Sequence, residues 1–304
     1  MSGPAFALAV GMKTLLTLTL PFVSLVFSPQ TPAAVNMKDA AYYKTWIDLE
    51  TGPDPAIFRL RRTYHSRSLH RGLFGFGWCS DFEKSLDLKR SDQILLRDCR
   101  LKAPIRFKKK NETLYESPDK ELLEIKNDLF IRTTPSQVQQ KYNRLGQLIS
   151  LSGAPAEHLD LTYAPDGFLK HILINQKTRL EVRPDPLRRH IQSITSSEGP
   201  RILYRYDGLN LVQVQNAWDH RYSYGYDELH NLTEISYPDH TREVLTYDPE
   251  RDWIVQIRGR APCLLTLRYA LGATGQSYTS TAEKRCAGKP GLSTRYEFPH
   301  GGRP

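Results

Sequence analysis

The sequence predicts an all-β chain: an array of β-hairpin repeats forming a curled or spiralling antiparallel sheet, preceded by a smaller β-rich N-terminal module. Three observations predict it. Tyrosine followed by aspartate returns at Tyr206-Asp207, Tyr226-Asp227 and Tyr247-Asp248, about every twenty residues. The residues before these tyrosines alternate: Tyr222, Tyr224 and Tyr226 share one face of "RYSYGYD", with Arg221, Ser223 and Gly225 on the other, and a period of two means a strand. With 16 Tyr, 20 Pro and 19 Gly in 304 residues, the composition favours strands and turns over long helices.

Residues 1–34 read as an export signal whose start is either Met1 or Met12. Lys13 is followed by the apolar run Thr14 to Phe27, interrupted by Pro21, and then by the small residues of "SPQTPAAV". That run is too short and too broken to span a membrane, and cleavage is expected between Thr31 and Ala34. No cysteine stands near that point, so a lipid anchor is not expected. The implied location is secreted, periplasmic or cell-surface.

Residues 35–135 form the N-terminal module and carry most of the net charge of +9. Between Lys84 and Lys110 there are ten Lys or Arg against three Asp, and between Asp54 and Arg71 five Arg against one Asp. Such a bias attracts an anionic envelope, an acidic glycan or nucleic acid; the plain alternative is a solvated face. No nucleic-acid partner is expected, because neither a basic helix nor a known nucleic-acid module accompanies the charge. In "GLFGFGW" the glycines alternate with aromatics. A phosphate loop needs consecutive open N–H groups ahead of a helix, so this reads as a tight turn that docks Phe74, Phe76 and Trp78.

Cys79, Cys99, Cys263 and Cys286 allow three pairings. Cys79–Cys99 with Cys263–Cys286 is the economical one, each closing a loop of about twenty residues; buried free thiols are the alternative. No C-x-x-C occurs, which disfavours a zinc or thioredoxin-like site.

Residues 136–275 hold the repeats. Aligned on the tyrosine, the units centre on Tyr142, Tyr163, Val182, Tyr206, Tyr226, Tyr247 and Tyr269, with steps of 21, 19, 24, 20, 21 and 22 residues. The first, third and last are degenerate; in the others the tyrosine ends a strand, a turn-prone tetrad such as "DELH" or "DPER" follows, and a second strand carries an apolar pair such as Leu232 with Ile235. An acid that opens a turn accepts hydrogen bonds from N–H groups two or three residues on. One hairpin cannot bury its own apolar face, so the units must stack. Residues 276–304 form a closing segment.

The phased pattern Y-D-x-x-G/N-x-L-x-x-I resembles the YD repeat of the Rhs family, which also occurs in teneurins and in shell subunits of insecticidal toxin complexes. The upstream "RTYHS" followed by "GLFGFGW" is similar to the segment preceding those repeats. The resemblance covers roughly residues 48–303 and implies a short member without a C-terminal toxin domain. It further implies a sheet that spirals, with glycan or cell–cell contact as the associated role. Seven units are too few to enclose a large cavity, so a curled open sheet or assembly with other chains is expected, and the family's self-cleavage motif has no match.

Candidate chemistry is thin. Stacked equivalents Asp207, Asp227 and Asp248 would stand in a row rather than flank one bond as a glycosidase requires. His220, His230 and His240 are ten apart and do not converge on a metal. No catalytic motif occurs, so the chain is expected to be no enzyme and to use neither cofactor nor metal. Trp218, in the loop "NAWDHR", departs from the core pattern and is the candidate surface contact. The resulting expectation is an exported structural or binding protein at the envelope or outside the cell, contacting glycan, an envelope surface, a protein partner or itself. The alternatives are the shell portion of a toxin-delivery system with separate cargo, and a glycan-degrading enzyme.

Overall fold

The computed structural model describes residues 34–53, 57–153, 157–187, 189–271 and 277–299. The expected signal therefore lies, Ala34 apart, outside the described residues. All regular structure among them is β. Strands β1 (Ala34–Asn36), β2 (Ala41–Thr51), β3 (Phe58–His65) and β6 (Trp78–Ser80) form a small antiparallel sheet in the order β1-β2-β3-β6, and β4 (Arg71–Gly72) pairs with β5 (Gly75–Phe76). The large sheet begins at β7 (Lys84–Asp87) and has 21 strands. Each strand pairs antiparallel with its sequence neighbour, from β7 through to Leu292–Pro299.

Sequential hairpins produce this order because each strand's nearest partner is the one its own turn delivers. Strands between residues 84 and 133, in the basic N-terminal segment, join the same sheet as the repeats. The sheet is an unclosed coil. Its first strand meets the approach to strand Leu148–Gly153 through a Ser85–Gln147 bridge and a Leu86 N–H bond to the Gly146 carbonyl at 2.8 Å. Eight strands thus make the first turn before the sheet continues past its own start. The Gly146 backbone has a φ of 76°, and a Cβ there would stand 2.1 Å from the Leu86 carbonyl oxygen. Only glycine permits this approach.

Inward-facing residues of the coil pack against the small sheet in one core. Alternation dictates the faces. Phe58, Leu60, Arg62 and Tyr64 of β3 are buried while Arg59, Arg61 and Thr63 are not, and Tyr42, Lys44, Trp46 and Asp48 of β2 are buried together. Trp46, Trp78 and Tyr224 meet at ring distances of 5.0–5.5 Å. Burying such rings contributes about 1.5–3 kcal/mol each, which makes the enclosed sheet a structural filling of the coil.

Candidate functional site

The repeated tyrosines join one unit to the previous one. The hydroxyls of Tyr163, Tyr206, Tyr226 and Tyr269 donate to the carbonyls of Leu148, Ile191, Leu211 and Ile254 at 2.7–2.9 Å, each fifteen residues back. A register shift precedes the tyrosine in the units of Tyr142, Tyr163, Tyr206, Tyr226 and Tyr247. The same shift falls between Arg183 and Pro184. The structure therefore assigns Pro184-Asp185, not Val182, to the tyrosine-acid position of the third unit. The alignment on Val182 went astray because proline keeps the turn but lacks the ring. In the last unit Tyr269 sits in an unbroken ladder between Cys263–Leu271 and Ser277–Cys286.

The acids serve the turns. Asp227 accepts from Leu229 and Asn231 N–H groups, Asp248 from Glu250 and Arg251, and Asp185 from Arg189 and His190. Asn143 does the same for Leu145 and Gln147. Asp207 differs: it stays in its strand opposite Asn210 across a two-residue turn at Gly208 and Leu209. Asp207 ends its strand and Asp227 and Asp248 directly follow theirs; successive acids are two strands apart, about 10 Å, and the outer two about 20 Å, so they do not converge.

The bulges present backbone groups to the enclosed sheet. Where the ladder slips, an N–H is left over. Ile191 N–H bonds the Leu73 carbonyl at 2.8 Å, Ile254 N–H the Ala40 carbonyl at 3.0 Å, and Leu232 N–H the Tyr64 hydroxyl at 2.9 Å. At Leu232 the Tyr64 hydroxyl thus takes the place that the Leu73 and Ala40 carbonyls hold at Ile191 and Ile254, and the Tyr247 hydroxyl lies against Tyr64 and Ser66. Phe76 N–H bonds the Leu209 carbonyl at 2.9 Å, which explains the different turn there. Trp78 Nε1 donates to the Tyr226 hydroxyl at 3.0 Å. Deeper in, Arg62 is fully buried, 2.6 Å from Asp48 and 2.9 Å from the Tyr224 hydroxyl, and Tyr204 donates to the same Asp48 oxygen at 3.0 Å. Burial pushes the Tyr204 and Tyr206 hydroxyls well above their usual range.

One cleft of about 440 Å³ opens between this filling and the first turn of the coil. Its walls include Phe58, Leu60, Phe82, Ile105, Leu151 and Leu159. Arg59, Arg61, Lys84, Arg100 and Arg132 stand around them with Asp81 and Asp98. Here the two basic stretches of the sequence meet. Lys84 is buried 2.9 Å from Asp98, and Arg100 reaches both Asp98 and Asp81. Burial pulls the Lys84 amine down against the pull of Asp98. Burial would raise the Asp98 carboxyl, but the Arg100 hydrogen bond and the Lys84 charge hold it at about 2. Arg61 is 43% exposed with its carboxylate 3.6 Å away. It and Arg100 therefore keep donors for an incoming anion. An apolar floor with a few convergent charged groups is the usual make-up of a ligand cleft.

The Cys79–Cys99 disulfide ties β6 to the strand end carrying Asp98 and Arg100, beside this cleft. Cys263–Cys286 joins directly opposed residues of neighbouring strands. Among the described residues, His, Cys and carboxylates gather at two places, His70–Glu83–Cys99 and Cys79–Asp98–Cys99, and both include disulfide sulfur, which offers no thiolate to a metal. Trp218 is half-buried in a loop held to the filling by the Ala217 N–H bond to the Asp48 carbonyl. Sequence reasoning missed the buried charges. Their signal was present: Arg62 and Asp48 fall on the apolar phase of "FRLRRTY" and "AYYKTWIDL", where a charge needs a partner.

Residues 34–102 match a family described as a domain of unknown function, DUF6531. No curated protein matches the chain. Among solved structures it is similar to TcdB2-TccC3-TEV, with 11% identity over 87% of this chain and 17% of that one and a TM-score of 0.34. It is also similar to the Tc holotoxin pore of Photorhabdus luminescens containing a TccC3 mutant, with 10% identity over 83% and 19% and a TM-score of 0.29. The chain spans less than a fifth of the length of either structure.

Proposed function

We propose that this chain is a non-enzymatic structural and binding protein of the cell envelope or the extracellular space. Its hairpin units are YD repeats of the Rhs kind, and its cleft contacts an anionic glycan or envelope surface. The observation that carries the reading is the meeting of Arg59, Arg61 and Arg100, from separate basic stretches, at the mouth of one cleft with an apolar floor. Partly exposed arginines recognise carboxylate and phosphate through two parallel N–H bonds. The two disulfides suit an oxidising compartment.

The test is retention on an anionic polysaccharide and on isolated envelope fractions at low salt, comparing the native chain with an Arg59→Ala/Arg61→Ala/Arg100→Ala variant. Retention that falls with salt and is lost in the variant supports the reading. Failure of the native chain to bind either matrix overturns it. A shell role is the second reading, favoured by the coil that packs around the sheet of residues 34–53 and 57–80. It is a shell whose contents are the chain's own first sheet.

A further inference from the structure

We propose that Lys44 and Glu243 condense into an amide bond that fastens the enclosed sheet covalently to the coil. Lys44 lies on the inward face of β2 and Glu243 on strand Arg242–Tyr247, 199 positions later. The Lys44 Nζ is 3.1 Å from Glu243 Oε2, with side-chain exposures of 7% and 8%. Around them stand Tyr42, Trp46 and Tyr237, all buried. Water is thus largely excluded from a contact between an amine and a carboxyl.

The two carboxyl oxygens are placed differently. Oε1 receives the Tyr42 hydroxyl at 2.6 Å. Oε2 receives the Tyr237 hydroxyl at 3.1 Å together with Lys44, and Lys44 Nζ also bonds the Tyr237 oxygen. This asymmetry assigns roles. A proton passes from Nζ to Oε2, which neutralises both groups, a change that a dry site favours. Burial already pulls the Lys44 amine down against the pull of Glu243. The free Nζ electron pair then attacks Cδ. Charge develops on Oε1, where the Tyr42 hydroxyl is its donor. The Tyr237 hydroxyl relays a second proton from Nζ to Oε2. The Cδ–Oε2 bond breaks and Oε2 leaves as water. The ammonium and carboxylate become one amide and one water, with no oxidant or other reactant. Fixed contact supplies what a dilute amine and acid lack, since held pairs react with high effective molarity.

The product would close a loop running from the second strand of the filling to the sixth repeat unit. It would explain why a lysine and a glutamate are spent in an otherwise aromatic pocket, where Arg260 stacks on Tyr237 at 4.3 Å. A buried pair left ionic is little better for stability than apolar residues of the same volume.

The experiment is mass spectrometry of the folded full chain, denatured, reduced and digested. The expected result is a branched peptide joining the Lys44 and Glu243 segments at 18 Da below their sum, with faster migration than a linear chain in denaturing gels. Glu243→Gln should give the same branched peptide by loss of ammonia, and Tyr42→Phe should slow its appearance. Lys44→Arg, which keeps the charge, should abolish it. Separate linear peptides from the folded native chain after prolonged incubation, with Lys44 acylated only on unfolding, overturn the proposal.

Discussion

The Tyr226 hydroxyl donates to the Leu211 carbonyl at 2.8 Å and accepts from Trp78 Nε1 at 3.0 Å. One oxygen thus joins a repeat unit to its predecessor and to the enclosed sheet. The repeat and the filling are therefore coupled, and loss of either bond should be felt in both.

Tyr226→Phe should destabilise the fold by about 2 kcal/mol, because it removes both bonds and leaves the buried Trp78 N–H and the Leu211 carbonyl without this partner. Tyr163→Phe, which loses only the link to Leu148, should cost about 1 kcal/mol. Urea unfolding of the two variants gives the comparison; equal costs would contradict the double role of Tyr226.

Arg62→Ala should cost about 3–5 kcal/mol, since it strands the Asp48 carboxylate in the core. Replacing both, as Arg62→Met with Asp48→Leu, should cost less than either single change. Thermal unfolding of the three variants decides this, and an additive double mutant would show that the pair acts as two independent groups.

Gly75→Ala should loosen the β4–β5 hairpin from the coil. Gly75 has a φ of 96°, and a Cβ would stand 2.6 Å from the Leu209 carbonyl oxygen, so the variant meets both backbone strain and a clash. Limited proteolysis should then cut the variant between residues 66 and 78 faster than the native chain; equal cutting of the two would count against the docking role of this turn.

Removing the Cys79–Cys99 bond by double serine substitution should cost about 3 kcal/mol, as expected for a link spanning 20 residues. It should also weaken any anion binding by the cleft, because it frees the strand end that carries Arg100. Denaturation with and without reductant checks the first part, and retention on an anionic matrix the second.

Acid should weaken the cleft wall through Asp98. Its folded pKa of about 2 lies below the unfolded value of about 3.9. Its contribution is therefore complete above about pH 4 and is lost as pH falls toward 2, amounting to about 2 kcal/mol. Asp98→Asn should lose that stability at neutral pH and show a flatter profile between pH 4 and 2. A variant whose profile matched the native one would remove Asp98 from the linkage.

The strands and turns were legible because their causes are local. Alternation in "RYSYGYD" and the carboxylate at the head of "DELH" act within a few residues, and Asp227 caps its turn through N–H groups two and four positions on. The cleft was legible only as a charge bias. Nothing in the spacing of Arg59 and Arg100 says that they meet, because β3 and the strand end near Asp98 are brought together by the coil's first turn and a disulfide. The hydroxyl bonds of the tyrosines were hidden for another reason: fifteen residues of separation becomes contact only once neighbouring hairpins pair.

By itself the sequence determined that this chain is built of stacked hairpins, with a tyrosine closing a strand and an acid opening a turn. Both follow from backbone preference and side-chain period, which need no distant partner. Only the tertiary structure decided that the coil wraps the chain's own first sheet and that the third unit is phased on Pro184. It likewise brought Lys44 to Glu243 and Arg62 to Tyr224. Those outcomes depend on which N–H groups the bulges leave over and which buried charges must find partners, and such demands are met across the core rather than along the chain.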